Sequence, residues 1–378
     1  MSVKKDDSNL VLLGDYIELC DERNSDGKYT LDEVRGISIL KKLIPTKADM
    51  LDVSLFPYKL LKPREFSYVT VTSRNGGKIS LAINDTKETY MVSSSYLVFR
   101  SIDTEILLPE YLYVLLSREE FDRLSRFNSW GSARETFDWS EFCRIQIPLP
   151  EPDIQQELVD TYNGLKALAE QNEALSKPLT EACQVYIVDC KKKYSEVELR
   201  NYIQEFKHQN YNGEFVLDDV RGVSIQKKFI DTKANMDDVP LVKYKIVKDG
   251  MFAFNVNTAR MGEKFAIALC KDETYLVSSI YGVFEVIDKS ILLPEYLYII
   301  FNREDFDRYV RFNSWGSARE TFTYSEICEV SIPLPPHEVQ QAIVDIYNCA
   351  QDAKNIAREA REKMKNLCPA LVQRAINR

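Results

Sequence analysis

Histidine is the scarcest chemically useful residue in this chain: 378 residues contain 2, His208 and His337, far apart in sequence. His337 stands beside prolines, in text that reads as a loop. A histidine metal site, a histidine general base and a nucleophile–histidine pair are therefore all disfavoured. Glycine (13) and proline (14) are too few for a linker-rich or fibrous protein. The eight cysteines (Cys20, Cys143, Cys183, Cys190, Cys270, Cys328, Cys349 and Cys368) form no C-x-x-C pair, so neither a zinc ribbon nor a redox motif is indicated. They read as buried thiols of a reducing compartment. No window approaches the ~18 apolar residues of a membrane span. The opening MSVKKDDSNL puts charge where a signal peptide needs an apolar core. The expectation is a cytoplasmic protein without membrane association. The net charge of −9 argues, at first sight, against a nucleic-acid partner.

What is present is one unit written twice. VRGISILKKLIPTK (34–47) matches VRGVSIQKKFIDTK (220–233), and TSRNGGK (72–78) matches TARMGEK (258–264) at the same offset. After a one-residue deletion, LLPEYLY (107–113) recurs at 292–298, and RFNSWGSARETF (126–137) recurs unchanged at 311–322. IPLP (147–150) recurs at 332–335, followed in each copy by QQ and a similar run. The repeat is too long for a solenoid, so it is a duplicated domain with a duplicated connector. Strand-like runs such as FSYVTVTS alternate with helical text such as PEYLYVLLSREEFDRLSRF, which predicts mixed α/β heads. The expected boundaries are a first head at 1–151, a helix at 152–194, a second head at 195–335 and a helix at 336–378.

Both connectors carry heptad spacing. In the second, Val339, Ile343, Ile346, Ala350, Ala353, Ala357, Ala360, Met364 and Leu367 alternate steps of four and three. In the first, Ile154, Leu158, Thr161, Leu165, Leu168, Asn172 and Leu175 do the same until Pro178, which is expected to interrupt the pattern. Such stripes predict two long helices packed antiparallel as a coiled coil, a spacer with pseudo-two-fold symmetry holding two heads apart. Asn172 suits either a register-fixing seam position or a wet edge.

Charge is distributed unevenly. Arg35, Lys41, Lys42 and Lys47 stand in 34–47 without an acid, and Arg221, Lys227, Lys228 and Lys233 answer them in 220–233 with Asp231 alone. Lys59, Lys62, Arg64, Arg74 and Lys78 follow against the single acid Glu65, whereas the other acids gather on the helical text. A head with one basic side can bind a polyanion locally despite net acidity. The loops at 72–78 and 258–264 combine Thr, Arg, Gly and Lys, which suits a loop that hugs a backbone or reaches a base edge.

Taken together, the duplicated VRG-x-SI-x-KK-x-I-x-TK tract, the repeated FNSWGSARETF block, the IPLP-to-QQ junctions and the order head, helix, head, helix resemble the DNA-specificity subunit of a type I restriction-modification system. The resemblance covers essentially the whole chain. It implies two target recognition domains, each reading half of a split sequence in double-stranded DNA, with the helices setting the gap. It also implies assembly with two modification subunits, which methylate adenine using S-adenosylmethionine, and with restriction subunits that use ATP and Mg. This chain itself is expected to hold no cofactor or metal and to catalyse nothing. It has neither an N-P-P-[FY] or D-P-P-[FY] methylase motif nor a G-x-x-x-x-G-K-[ST] phosphate loop. By position, the DNA contacts are expected on the basic tracts and on Arg74, Lys78, Arg260 and Lys264. Trp130, Trp315, Phe127 and Phe312 read first as core or partner-facing, while Arg134 and Arg319 could brace the fold or hold a phosphate. The main rival is a two-headed coiled-coil scaffold that binds only proteins, with solubilising lysines.

Overall fold

The structure is a computed structural model. It describes residues 10–376 apart from Arg74, Ala133, Lys233, Ala234, Asp237, Asp238, Arg260, Met261, Ser317 and Ala318, and side chains as far as Lys365. By contacts the chain divides into two units, 1–171 with 356–378, and 172–355. Each contains one head and half of each long helix.

In the first head a four-stranded antiparallel sheet runs in the order Ile17–Cys20, Leu97–Ser101, Phe66–Tyr68, Leu81–Ile83. Its central strand, Phe-Ser-Tyr, is buried on both faces, so apolar layers lie on either side of it. On one side Phe66, Tyr68, Leu81 and Phe99 pack with residues of three helices: α1 (Pro109–Leu116), α2 (Glu119–Phe127) and α3 (Trp139–Cys143). The rings of Phe66 and Phe99 stack there at 4.9 Å. On the other side Val98 meets Leu61 and Val92, which belong to a two-stranded pair, Lys59–Leu61 with Tyr90–Val92. The basic tract forms a hairpin, Arg35–Ile37 with Leu43–Pro45. Pro109 opens α1 at a position where its missing N–H costs no hydrogen bond.

The IPLP segment does more than leave the head. Gln146–Pro148 pairs with the first strand, Leu10–Leu12, and Tyr111 donates its hydroxyl to the Pro148 carbonyl at 2.9 Å. The second head repeats every one of these elements. Its sheet runs Ile203–Glu205, Tyr281–Val286, Met251–Asn255, Ile267–Leu269, and its hairpin is Arg221–Val223 with Phe229–Asp231.

The first connector is one helix, α4 (Pro152–Lys193), and Pro178 does not interrupt it. Proline leaves the carbonyl four residues earlier without a donor. Here that carbonyl belongs to Ala174, and Ala174 and Pro178 are both exposed, so water can take the place of the lost bond. In the second head follow α5 (Pro294–Phe301), α6 (Glu304–Phe312) and α7 (Tyr324–Cys328). The second connector is α8 (His337–Ile376), so His337 opens a helix rather than lying in a loop.

The seam expected on α8 is in place: Ile343, Ala350, Ala353, Ala357, Ala360 and Met364 are buried, and Val339 and Ile346 half-buried. Leu367 lies outside the described side chains. The seam expected on α4 is out of phase. Leu158 is buried and Ile154 and Leu165 are half-buried, but Leu168 and Leu175 are 43% and 55% exposed while Ala169 and Ser176 are buried. The inward stripe then continues through Cys183, Ile187 and Cys190. Within the second unit these late α4 residues share a core with Ile343 and Val344 of early α8, the pairing that antiparallel helices require. Burial pushes the Cys270 thiol up to about 12, as expected of an inert core cysteine. Cys349 departs from the buried-thiol reading and is exposed.

Among the described residues no helix is long and apolar enough to cross a membrane, and no group of three or more His, Cys, Asp or Glu is placed to hold a metal ion.

Candidate nucleic-acid interface

The basic tract splits into structural and exposed cations. In the hairpin turn Ser38–Lys42, Lys41 takes up a left-handed backbone, φ 61°, that turns its side chain inward. It is 6% exposed, and its Nζ lies 2.5 Å from Asp122 Oδ1 on the inner face of α2. The same carboxylate oxygen accepts the backbone N–H of Ile79 at 3.1 Å, and Tyr113 donates its hydroxyl to the Lys41 carbonyl at 2.9 Å. Burial holds the Lys41 ammonium below its ordinary pKa, against the opposing pull of Asp122.

The second head repeats this constellation. Lys227, at φ 60° and 4% exposed, lies 2.5 Å from Asp307 Oδ1, which accepts from Phe265 N at 3.1 Å. Lys41 and Lys227 are therefore occupied as buried struts: each ties its hairpin to an aspartate that also holds the first residue after the adjoining loop. Arg35 and Arg221 are likewise occupied. Each donates to two nearby carbonyls, at 2.6 and 3.0 Å, and lies over a tyrosine ring, Tyr90 or Tyr275.

Lys42, Lys47, Lys78, Lys228 and Lys264 remain exposed. Lys42 makes a loose 3.5 Å pair with Glu170, which leaves it largely solvated. Arg74, Lys233 and Arg260 lie outside the described residues.

The struts adjoin Lys78 and Lys264, which end the loops at 72–78 and 258–264. In the first head the 72–78 loop turns through Gly76, φ +62°, where a left-handed backbone favours glycine. It is bonded along one side to the RFNSWGSARETF block: Thr72 N donates to Glu135 O at 3.0 Å and Phe137 N to Thr70 O at 2.8 Å. The block closes on itself through reciprocal bonds between Trp130 and Thr136, at 3.0 and 2.9 Å. Gly131 makes this closure possible. Its φ is +140°, and a Cβ there would stand 2.2 Å from the Arg134 carbonyl.

The aromatic side chains of this turn are not core. Phe127 and Trp130 are 74% and 64% exposed, and Phe312 and Trp315 are 78% and 64% exposed. Arg134 and Arg319 are exposed beside them, while Arg126 pairs with Glu135 and Arg311 with Glu320. A turn whose glycine has no room for a Cβ, carrying a Trp and an Arg, was the available signal that these rings are displayed. Each head thus presents one surface made of a loop that differs between copies and a block that does not, with an exposed lysine on the loop and an exposed arginine on the block.

One family model matches most of the chain. The model of the type I restriction modification DNA specificity domain matches residues 57–180 and 204–355. The specificity subunit of the type I restriction enzyme HindI of Haemophilus influenzae is 25% identical over 130 residues, which is 33% of this chain and 27% of that relative. A crystal structure of the S subunit of a type I restriction-modification system from M. genitalium superposes over 99% of this chain and 98% of its own, with a TM-score of 0.59 at 11% identity. The HsdS subunit from Thermoanaerobacter tengcongensis aligns over 97% of this chain and 96% of its own at 15% identity, with a TM-score of 0.39. With both heads matched by the same domain, the chain belongs to the type I restriction-modification DNA specificity family.

Proposed function

We propose that this chain is the DNA-reading subunit of a type I restriction-modification complex, without catalytic residues of its own. Each head binds one half of a bipartite, gapped target, and the long helices set the gap and dock the methyltransferase subunits. S-adenosylmethionine, ATP and Mg belong on this reading to the modification and restriction subunits, and the complex works in the cytoplasm. The observation that carries the proposal is the paired surface: the same loop-and-block arrangement occurs once per head, with an identical block and a loop, TSRNGGK or TARMGEK, that differs at three positions. Family membership favours this reading over the protein-only scaffold. The proposed functional boundaries lie at 151, 194 and 335, a reading supported by α4 at Pro152–Lys193 and α8 from His337.

Net acidity of −9 implies that the isolated chain binds DNA weakly. The assembled complex should bind specifically, with an affinity that falls steeply with salt. Methylome sequencing of a host carrying the complete system is expected to reveal a gapped, non-palindromic motif dependent on this gene. A continuous motif, or none, would overturn the proposal.

Removal of one heptad from α4 shortens it by about 10 Å, about three base-pair rises. The methylated gap is expected to shorten accordingly, or modification to be lost, with the half-site bases unchanged. Altered half-site bases at an unchanged gap would refute the spacer role.

A further inference from the structure

We infer that the RFNSWGSARETF block is the sequence-independent DNA anchor of each head, with Arg134 and Arg319 on backbone phosphates and Trp130 and Trp315 packed against the sugar–phosphate edge. The inference rests on the DNA-reading role proposed above.

Three observations converge on it. First, the twelve residues 126–137 and 311–322 are identical, although the loops they hold, TSRNGGK and TARMGEK, differ. The interior of the fold does not explain that identity at the exposed positions, because an exposed Trp or Arg is free to vary as far as packing is concerned. Identical exposed side chains in two copies that otherwise diverge must meet something common to both halves of the target, and the backbone is common where the bases are not.

Second, the block is hydrogen-bonded directly to the variable loop in both heads. Thr258 N donates to Glu320 O at 3.0 Å and Phe322 N to Val256 O at 2.9 Å, as Thr72 and Phe137 do in the first head. A surface joined to the reading loop by main-chain bonds is carried to the same partner. Third, the charge has the right sign. The acids in the block, Glu135 and Glu320, are neutralised by Arg126 and Arg311, so Arg134 and Arg319 give the turn net positive charge. The closed turn also holds the rings out before binding, which lowers the ordering cost of using them.

The competing occupant is a modification subunit, which is also common to both halves, and the experiment separates the two. On the assembled complex, DNA affinity is titrated against salt for cognate and non-cognate duplexes, with complex stoichiometry read by mass photometry. R134Q/R319Q is expected to make the slope of log K against log salt shallower by about 2, one phosphate per head. It should weaken both duplexes by the same factor and leave the methylated motif unchanged. R134K/R319K, which keeps the charge, should restore most of the slope. W130A/W315A is expected to weaken both duplexes about tenfold or more. The inference is overturned if the Arg variants weaken only the cognate duplex, which would make them base readers, or if assembly fails while DNA binding by the remaining complex is unchanged. A wild-type complex that binds DNA without sequence preference would instead strike the reading on which the inference rests.

Discussion

Replacing Lys227 with methionine is expected to destabilise the second head by about 3–5 kcal/mol, the usual consequence of leaving one member of a buried ion pair alone. Lys227 Nζ lies 2.5 Å from both Asp307 Oδ1 and the Phe301 carbonyl, and the pair is almost fully enclosed. Without the ammonium, Asp307 keeps only the Phe265 N–H bond at 3.1 Å as a described partner and remains a charge away from water. K227M/D307N should recover most of the loss, because the asparagine oxygen still accepts from Phe265 while both charges are gone. Lys228 next door is exposed, so Lys228→Gln should leave the melting temperature within a degree or two and instead reduce the salt sensitivity of DNA binding. Denaturant unfolding of the three variants beside the wild type is the check. A K227M protein within 1 kcal/mol of wild type would mean that the strut is not structural.

That contrast between adjacent lysines marks where the sequence stops being informative. The duplication, the α/β heads and the two connectors were all legible, because a twelve-residue identity and a 3.5-residue period are properties of the string. Which lysine of a Lys-Lys pair faces inward is not such a property. It depends on a left-handed turn and on a carboxylate 81 residues away. One clue was available: Asp122 and Asp307 recur beside buried Phe121 and Phe306, on the inner face of otherwise amphipathic helices. A carboxylate held there in both copies requires a cation.

The seam of α4 was missed for a related reason. Beyond Gln340, α8 offers apolar residues at its described inward positions, whereas α4 turns Ala169, Ser176 and Cys183 inward and leaves Leu168 and Leu175 outside. Hydrophobicity alone therefore selected the wrong phase. Conversely, tryptophan and phenylalanine in the repeated block suited either the core or a partner-facing surface, and the structure excludes the core. Their exposure follows from Gly131 and Gly316, whose backbone near +140° folds the turn shut and leaves the rings outside it.

Replacing Gln340 with leucine is expected to cost about 3–5 kcal/mol, although it removes no charge and conserves volume. Gln340 is fully buried where α8 leaves the second head. Its Oε1 accepts from Leu293 N at 2.9 Å, and its Nε2 donates to Ile291 O at 2.8 Å and Pro335 O at 2.9 Å. One amide therefore joins the lead-in to α5, the exit from the head and the first turn of α8. Gln155 makes the same three bonds to Leu108, Ile106 and Pro150. Leucine would strand one N–H and two carbonyls, each at about 1–3 kcal/mol when no water can reach them. Asparagine, one methylene shorter, cannot span all three, and glutamate keeps the single acceptor but sets a buried charge against two carbonyl oxygens. Glutamate should therefore be the worst of the three. For a unit of this size each kcal/mol lowers the melting temperature by roughly 2–4 °C, so thermal unfolding resolves the order. Because the amide fixes how the helix leaves the head, the Gln340→Asn protein should also methylate targets with gaps one base pair longer or shorter than the wild type accepts. A fall in melting temperature with gap preference unchanged would confine the glutamine to stability and leave the spacing to the helices alone.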